Sequence, residues 1–144
     1  MTRAIPLLLI GFLALFFTFC GKGISEGQAE YSTAQIHLQV KVTPQDGGKA
    51  VFVLTSKKGF KLLLNPAPKI KLGAAEFVMS GPALPGDVQY FKNGNPVVIP
   101  LNGANRRDFE LHYIYCVEAD LTCVPGKIKL RLSASGHVGL TAAL

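Results

Sequence analysis

Three stretches of this chain alternate apolar and polar side chains with a period of two. Ile36, Leu38, Val40 and Val42 interleave with His37, Gln39 and Lys41. Phe109, Leu111, Tyr113 and Tyr115 interleave with Glu110, His112 and Ile114, and Ile128, Leu130 and Leu132 with Lys127, Lys129 and Arg131. A strand turns successive side chains to opposite faces, so this pattern predicts antiparallel sheets with one buried face and one wet face. Shorter strand candidates lie at 50–55, 60–64, 69–72, 88–91 and 97–101. They are separated by breaks rich in Gly, Pro and Asn at 44–48, 65–68, 81–86, 93–96 and 102–105. Short strands at this spacing predict an all-β fold, an immunoglobulin-like antiparallel β-sandwich. No amphipathic helix of useful length follows residue 32.

The first residues belong to something else. Arg3 precedes an uncharged apolar run from Ile5 to Phe19. A basic start and an apolar core of this length match an export signal, and the run is short for a spanning helix of about 20 residues. Cys20 stands where the run ends, followed by Gly-Lys-Gly. This resembles the bacterial lipoprotein pattern, in which that cysteine is lipidated, although Phe19 occupies a position that is normally small. The expected organisation is a lipoprotein-type signal helix (1–19), a flexible tether rich in small and polar residues (20–33), a sandwich domain (34–134) and a C-terminal tail (135–144). The expected location is the bacterial cell envelope, with the domain lipid-anchored and facing the periplasm; the alternative is a secreted or cell-surface domain.

Without residues 1–19 the chain keeps 14 Lys and Arg against 9 Asp and Glu, a net charge of +5. Most of these charges fall on alternating strand positions, which reads as a solvated face, and no nucleic-acid partner is expected. His37, His112 and His137 do not pair with one another or with cysteine at ligand spacing, so neither a metal nor any other cofactor is expected. Motifs for serine hydrolysis, zinc proteolysis and phosphate binding are missing, and the carboxylates are scattered over turns and outward strand faces.

The chemistry that remains is sulfur. If Cys20 carries lipid, Cys116 and Cys123 are left as a pair in an oxidising compartment. Cys116 ends one alternating strand and Cys123 leads into the next, so a hairpin with loop 117–122 brings the two face to face, within disulfide reach. Two readings of that pair stay open. One is a structural clip, worth about 2–3 kcal/mol for so small a ring. The other is a redox pair, which needs an available thiolate and a reachable sulfur. Glu118 and Asp120 inside the loop disfavour a thiolate, and Lys127 is expected to offset them in part.

Several segments together resemble a known family. VQYFKNGNPVVIPL (88–101) and YIYCVEADLTCVPGKIKLRL (113–132) are similar to the strand–turn–strand and the cysteine hairpin of the N-terminal periplasmic domains of DsbD-type thiol:disulfide interchange proteins. KKGFKLLLNPAPKIKL is similar to a strand upstream. The resemblance implies an immunoglobulin-like domain that passes electrons between a thioredoxin-like or membrane thiol-transfer partner and other extracytoplasmic proteins. It makes Cys116 and Cys123 the redox couple, with Cys123 the more accessible sulfur that forms the mixed disulfide and Cys116 resolving it. It also implies a cap over the pair in residues 77–86, offering Phe77, Met79 and Leu84. Read from the residues alone, Phe77, Val78 and Met79 are core, the alternative being that they lie over something on the surface. The spacing between the cysteines is one residue longer than in the better-known members, and the cap stretch is Pro- and Gly-rich. The competing function is a non-enzymatic immunoglobulin-like lipoprotein binding module with a purely structural disulfide.

Overall fold

The computed structural model describes residues 23–143. The expected signal helix and Cys20 lie outside these residues. Eleven strands follow one another: β1 (Gly27–Ser32), β2 (Ile36–Thr43), β3 (Lys49–Ser56), β4 (Phe60–Leu63), β5 (Lys69–Leu72), β6 (Ala75–Val78), β7 (Tyr90–Phe91), β8 (Val97–Pro100), β9 (Arg106–Val117), β10 (Cys123–Ser133) and β11 (Gly139–Ala142). One sheet has the order β1-β2-β3-β8. The other has the order β11-β10-β9-β4-β7, with β5 also on β9 and β6 on β5. All pairings are antiparallel. Among the described residues no helix is long and apolar enough to cross a membrane.

The two sheets close on one core, as an immunoglobulin-like β-sandwich does. The inward set of β2 is Ile36, Leu38, Val40 and Val42, all buried, and it meets Ala50, Phe52 and Leu54 of β3. The facing sheet contributes Leu62, Ile70, Phe91, Phe109, Leu111, Leu130 and Leu132. Phe52 and Phe109 join the sheets edge to face, with ring centroids 5.1 Å apart. Each fully buried aliphatic or aromatic side chain contributes about 1.5–3 kcal/mol, so the period-two pattern is what holds the layers together.

The domain is larger than the expected 34–134. Residues 27–32, expected as tether, form β1 and pair with β2 from Gly27↔Val42 to Ser32↔His37. The reason is visible in the alternation of this strand, which turns Ala29 and Tyr31 toward the core. Ser25 is tied in as well: its N–H donates to the Ala134 carbonyl at 2.7 Å. The expected tail likewise supplies β11, which pairs with the end of β10 and buries Leu140, with Val138 buried just before it. A further hairpin joins β5 to β6 through Gly73, whose φ of +59° suits glycine.

β10 also begins earlier than its Pro125-Gly126 suggests. The row Val124↔Tyr115 is hydrogen-bonded in the alternation, so the row Pro125↔Ile114 is not, and the missing proline N–H faces outward. β11 reaches only as far as Leu130, so that side of Pro125 is a free edge where proline is tolerated. Gly126 leaves room for the Tyr113 ring, which lies where a β-carbon would otherwise stand, 2.4 Å from the ring's Cζ.

Candidate functional site

β9 and β10 pair through eleven rows, and the last row before the loop is Cys116↔Cys123. Loop 118–122 is tightly made. Val117 N–H donates to the Thr122 carbonyl (2.8 Å), Leu121 N–H to the Val117 carbonyl (2.8 Å) and Thr122 N–H to the Asp120 carboxylate (2.9 Å). Because Val117 and Thr122 are bonded, the cysteine row is a non-bonded one, where antiparallel strands approach closest. The cysteine Cα atoms are 4.0 Å apart and the sulfurs are joined as a disulfide.

The two halves of the bridge have different surroundings. Strand parity puts Cys116 on the outer face with Asp108, Glu110, His112 and Ile114, since Phe109, Leu111 and Tyr113 face the core. Cys116 is nonetheless fully buried, whereas Cys123 is exposed. On the other side of Cys116 its register partner is Lys61 of β4. Lys61 is only 5% exposed, the one charged residue among the buried side chains of the described residues. Its Nζ lies 2.6 Å from an Asp87 carboxylate oxygen and 4.0 Å from the centre of the Tyr90 ring. A buried ammonium is tolerable only when paired in this way.

Asp87 is carried by an arch, residues 81–89, that leaves β6 and returns into β7. The arch holds its shape through three backbone bonds: Leu84 N–H to the Tyr90 carbonyl (2.9 Å), Asp87 N–H to the Leu84 carbonyl (3.0 Å) and Tyr90 N–H to the Asp87 carbonyl (3.0 Å). Its start is fixed by Gly81, which packs against the Phe91 ring and the Asn93 carbonyl too closely for any β-carbon.

The expected cap therefore needs correction. Phe77 pairs with Ile70 in the β5–β6 hairpin and packs against the core, and Met79 is fully buried in it. Hydrophobicity and strand parity take both inward. Leu84 alone of the three sits in the arch, half-buried. What reaches the neighbour of Cys116 is the Asp87 carboxylate of the arch together with the Tyr90 ring of β7, and none of the three expected cap residues.

The charges around the pair also differ from expectation. Lys127 does not serve the loop acids; its Nζ lies 3.0 Å from Glu110, which also takes His112 at 3.2 Å. The Lys127 hydrogen bond is the main reason the Glu110 carboxyl sits below its ordinary value. Glu118 is neutralised by an ion pair with Lys92, and its N–H donates to the Gly59 carbonyl at 2.9 Å. Asp120 is held below its ordinary value chiefly by the Thr122 N–H. Neither Lys61 nor Asp87 was found by sequence reasoning. The Phe-Lys-Leu alternation at Lys61 predicts an outward lysine, and only the arch, 26 positions later, makes that outward site a covered one.

Beside the bridge, Leu121, Val124 and Pro125 are exposed apolar groups. A hollow of about 240 Å³ opens beside Pro125, between the Pro66-Ala67 turn and the row Ile114↔Pro125. The exposed half of the bridge, Cys123, thus stands beside these apolar groups, with Cys116 buried behind it. No family model, curated protein or solved structure matches this chain.

Proposed function

We propose that this domain is an extracytoplasmic thiol–disulfide exchange module that uses the Cys116–Cys123 couple and is held at the membrane through a lipid on Cys20. The observation that carries the reading is the asymmetry of the bridge: one cysteine exposed amid apolar side chains, the other fully buried behind it. Exchange requires an attackable sulfur and a partner sulfur kept away from competing nucleophiles. The apolar rim of Leu121, Val124 and Pro125 supplies a landing surface for a partner of the thioredoxin-like or membrane thiol-transfer kind. The hairpin is already held by ten further rows of pairing, so a covalent clip adds little to its register. The resemblance of segments 88–101 and 113–132 to DsbD-type N-terminal domains supports the same reading.

The test is equilibration with graded mixtures of reduced and oxidised glutathione, followed by alkylation of free thiols. An exchange couple opens within the range spanned by such buffers, above about −300 mV. A bridge that stays closed below that potential is a structural one, and the reading fails.

A further inference from the structure

Opening the bridge, the step on which this inference and the proposed function both rest, leaves negative charge on a sulfur that water does not reach. The partner's thiolate forms a bond to Cys123 Sγ, the Cys116–Cys123 bond breaks, and its electron pair stays on Cys116 Sγ. No proton moves. Burial without compensation disfavours such a thiolate, and a neighbouring lysine favours it. Lys61 is the register partner of Cys116 on the side away from Cys123. Facing side chains on antiparallel neighbours have their β-carbons about 4.5–5.5 Å apart, so the flexible lysine stem can bring its ammonium to the sulfur.

We propose that Lys61 is a positioning residue for exchange: its ammonium supplies the counter-charge for the Cys116 thiolate, and Asp87 is the carboxylate that the thiolate displaces from it. Reduction then frees the arch that Asp87 anchors, which links the state of the bridge to the cover beside it. The other charged groups around the site are committed elsewhere. Glu118 pairs with Lys92, Asp120 accepts the Thr122 N–H, and Lys127 and His112 both lie on Glu110. Lys57 and Lys58 sit on the β3–β4 turn, which meets the loop through the Gly59 carbonyl. The Tyr90 ring lies against Lys61 itself.

The experiment titrates the single Cys116 thiol in a Cys123→Ser background by NMR of its labelled β-carbon. Adding Lys61→Met is expected to move the titration upward by about one unit or more, a tenfold smaller thiolate fraction at a given pH. Lys61→Arg is expected to keep it near the parent. Asp87→Asn, which frees the ammonium, is expected to move it downward. Shifts of the same sign for Lys61→Met and Asp87→Asn, or no shift for either, overturn the inference. If Lys61→Met does not fold, the half-exposed Asp87→Asn decides alone: a downward shift supports the inference, and an upward shift or none refutes it. Reduction of the wild-type bridge by dithiothreitol is measured in parallel. A wild-type bridge that resists it fails the proposed function, whereas a reactive bridge with an unmoved titration fails only the role of Lys61.

Discussion

Replacing both Cys116 and Cys123 by alanine, or reducing the bridge, separates an exchange couple from a structural mainstay by magnitude. The bridge closes a ring of eight residues, positions 116–123. Loop-closure entropy for a ring of that size gives about 2.5 kcal/mol at 25 °C. Everything else in the hairpin survives: ten further paired rows, the loop bonds and the inward set of Phe109, Leu111, Leu130 and Leu132. Unfolding a domain of about 120 residues carries an entropy near 0.25 kcal/mol/K, so the loss corresponds to a fall in Tm of about 10 °C. Urea denaturation of the oxidised, reduced and double-alanine proteins is the assay, with an unchanged m-value as the check that the same fold is being compared. The cycle runs both ways. The fold favours the bridge by the same amount, which lowers its potential by about 50 mV relative to the same ring in the unfolded chain. A reduced protein that has lost its cooperative transition at 25 °C, or a destabilisation above about 5 kcal/mol, refutes the reasoning, because a couple that unfolds its own domain on every turnover cannot cycle.

Four other predictions follow from the packing and the charges. Phe52→Ala removes a buried ring from the contact with Phe109 and is expected to cost about 3–5 kcal/mol, read from the urea midpoint. Gly126→Ala places a methyl group 2.4 Å from the Tyr113 ring and is expected to destabilise by about 1–3 kcal/mol, whereas Lys129→Ala on the same strand, exposed, is expected to change the midpoint little. Glu76, Asp108 and Glu110 are all held below their ordinary values, each first by a hydrogen bond from Lys69, Arg131 or Lys127. Their stabilising contribution is present at neutral pH and is lost as pH falls below about 4 through their folded-state values; urea midpoints across that range should fall, and less steeply at high salt. Burial raises Tyr113 above 10.0, so the unfolded chain ionises first and stability is lost as pH rises past that value toward the folded one. Tyr113→Phe should flatten that alkaline loss.

Alternation made the centre of each sheet legible. Ile36 to Val42, Phe109 to Tyr115 and Ile128 to Leu132 turn one parity toward the core, with Tyr115 and Ile128 only partly buried, and the other, polar except at Ile114, outward, and their strands lie where the pattern puts them. The same spacing foretold that Cys116 and Cys123 meet at the hairpin mouth. Edges were not legible, for a physical reason. β1 has only Ala29 and Tyr31 to show for an inward face, and β11 essentially only Leu140. An edge strand draws its stability from the neighbour it pairs with, which a local pattern does not reveal. Pro125 and Gly126 concealed the first part of β10 because their tolerance depends on which side of the ladder is free. The covering of Lys61 was hidden for a similar reason: burial on an outer face is decided by a segment far along the chain. Phe77 and Met79 pack inward as side-chain character alone suggests, whereas Val78 between them, read as core in the same way, is turned to the outer face by strand parity and is exposed.

Ser25 bonds to Ala134, just past the end of β10 opposite its cysteine. Eleven residues of extended chain separate Ala134 from Cys123, a span of about 35 Å. The described chain therefore joins the sandwich at one pole, at Ser25, while the sulfurs occupy the other. The lipid proposed on Cys20 would then leave the bridge at the far tip of an arm whose length is set by a single hairpin.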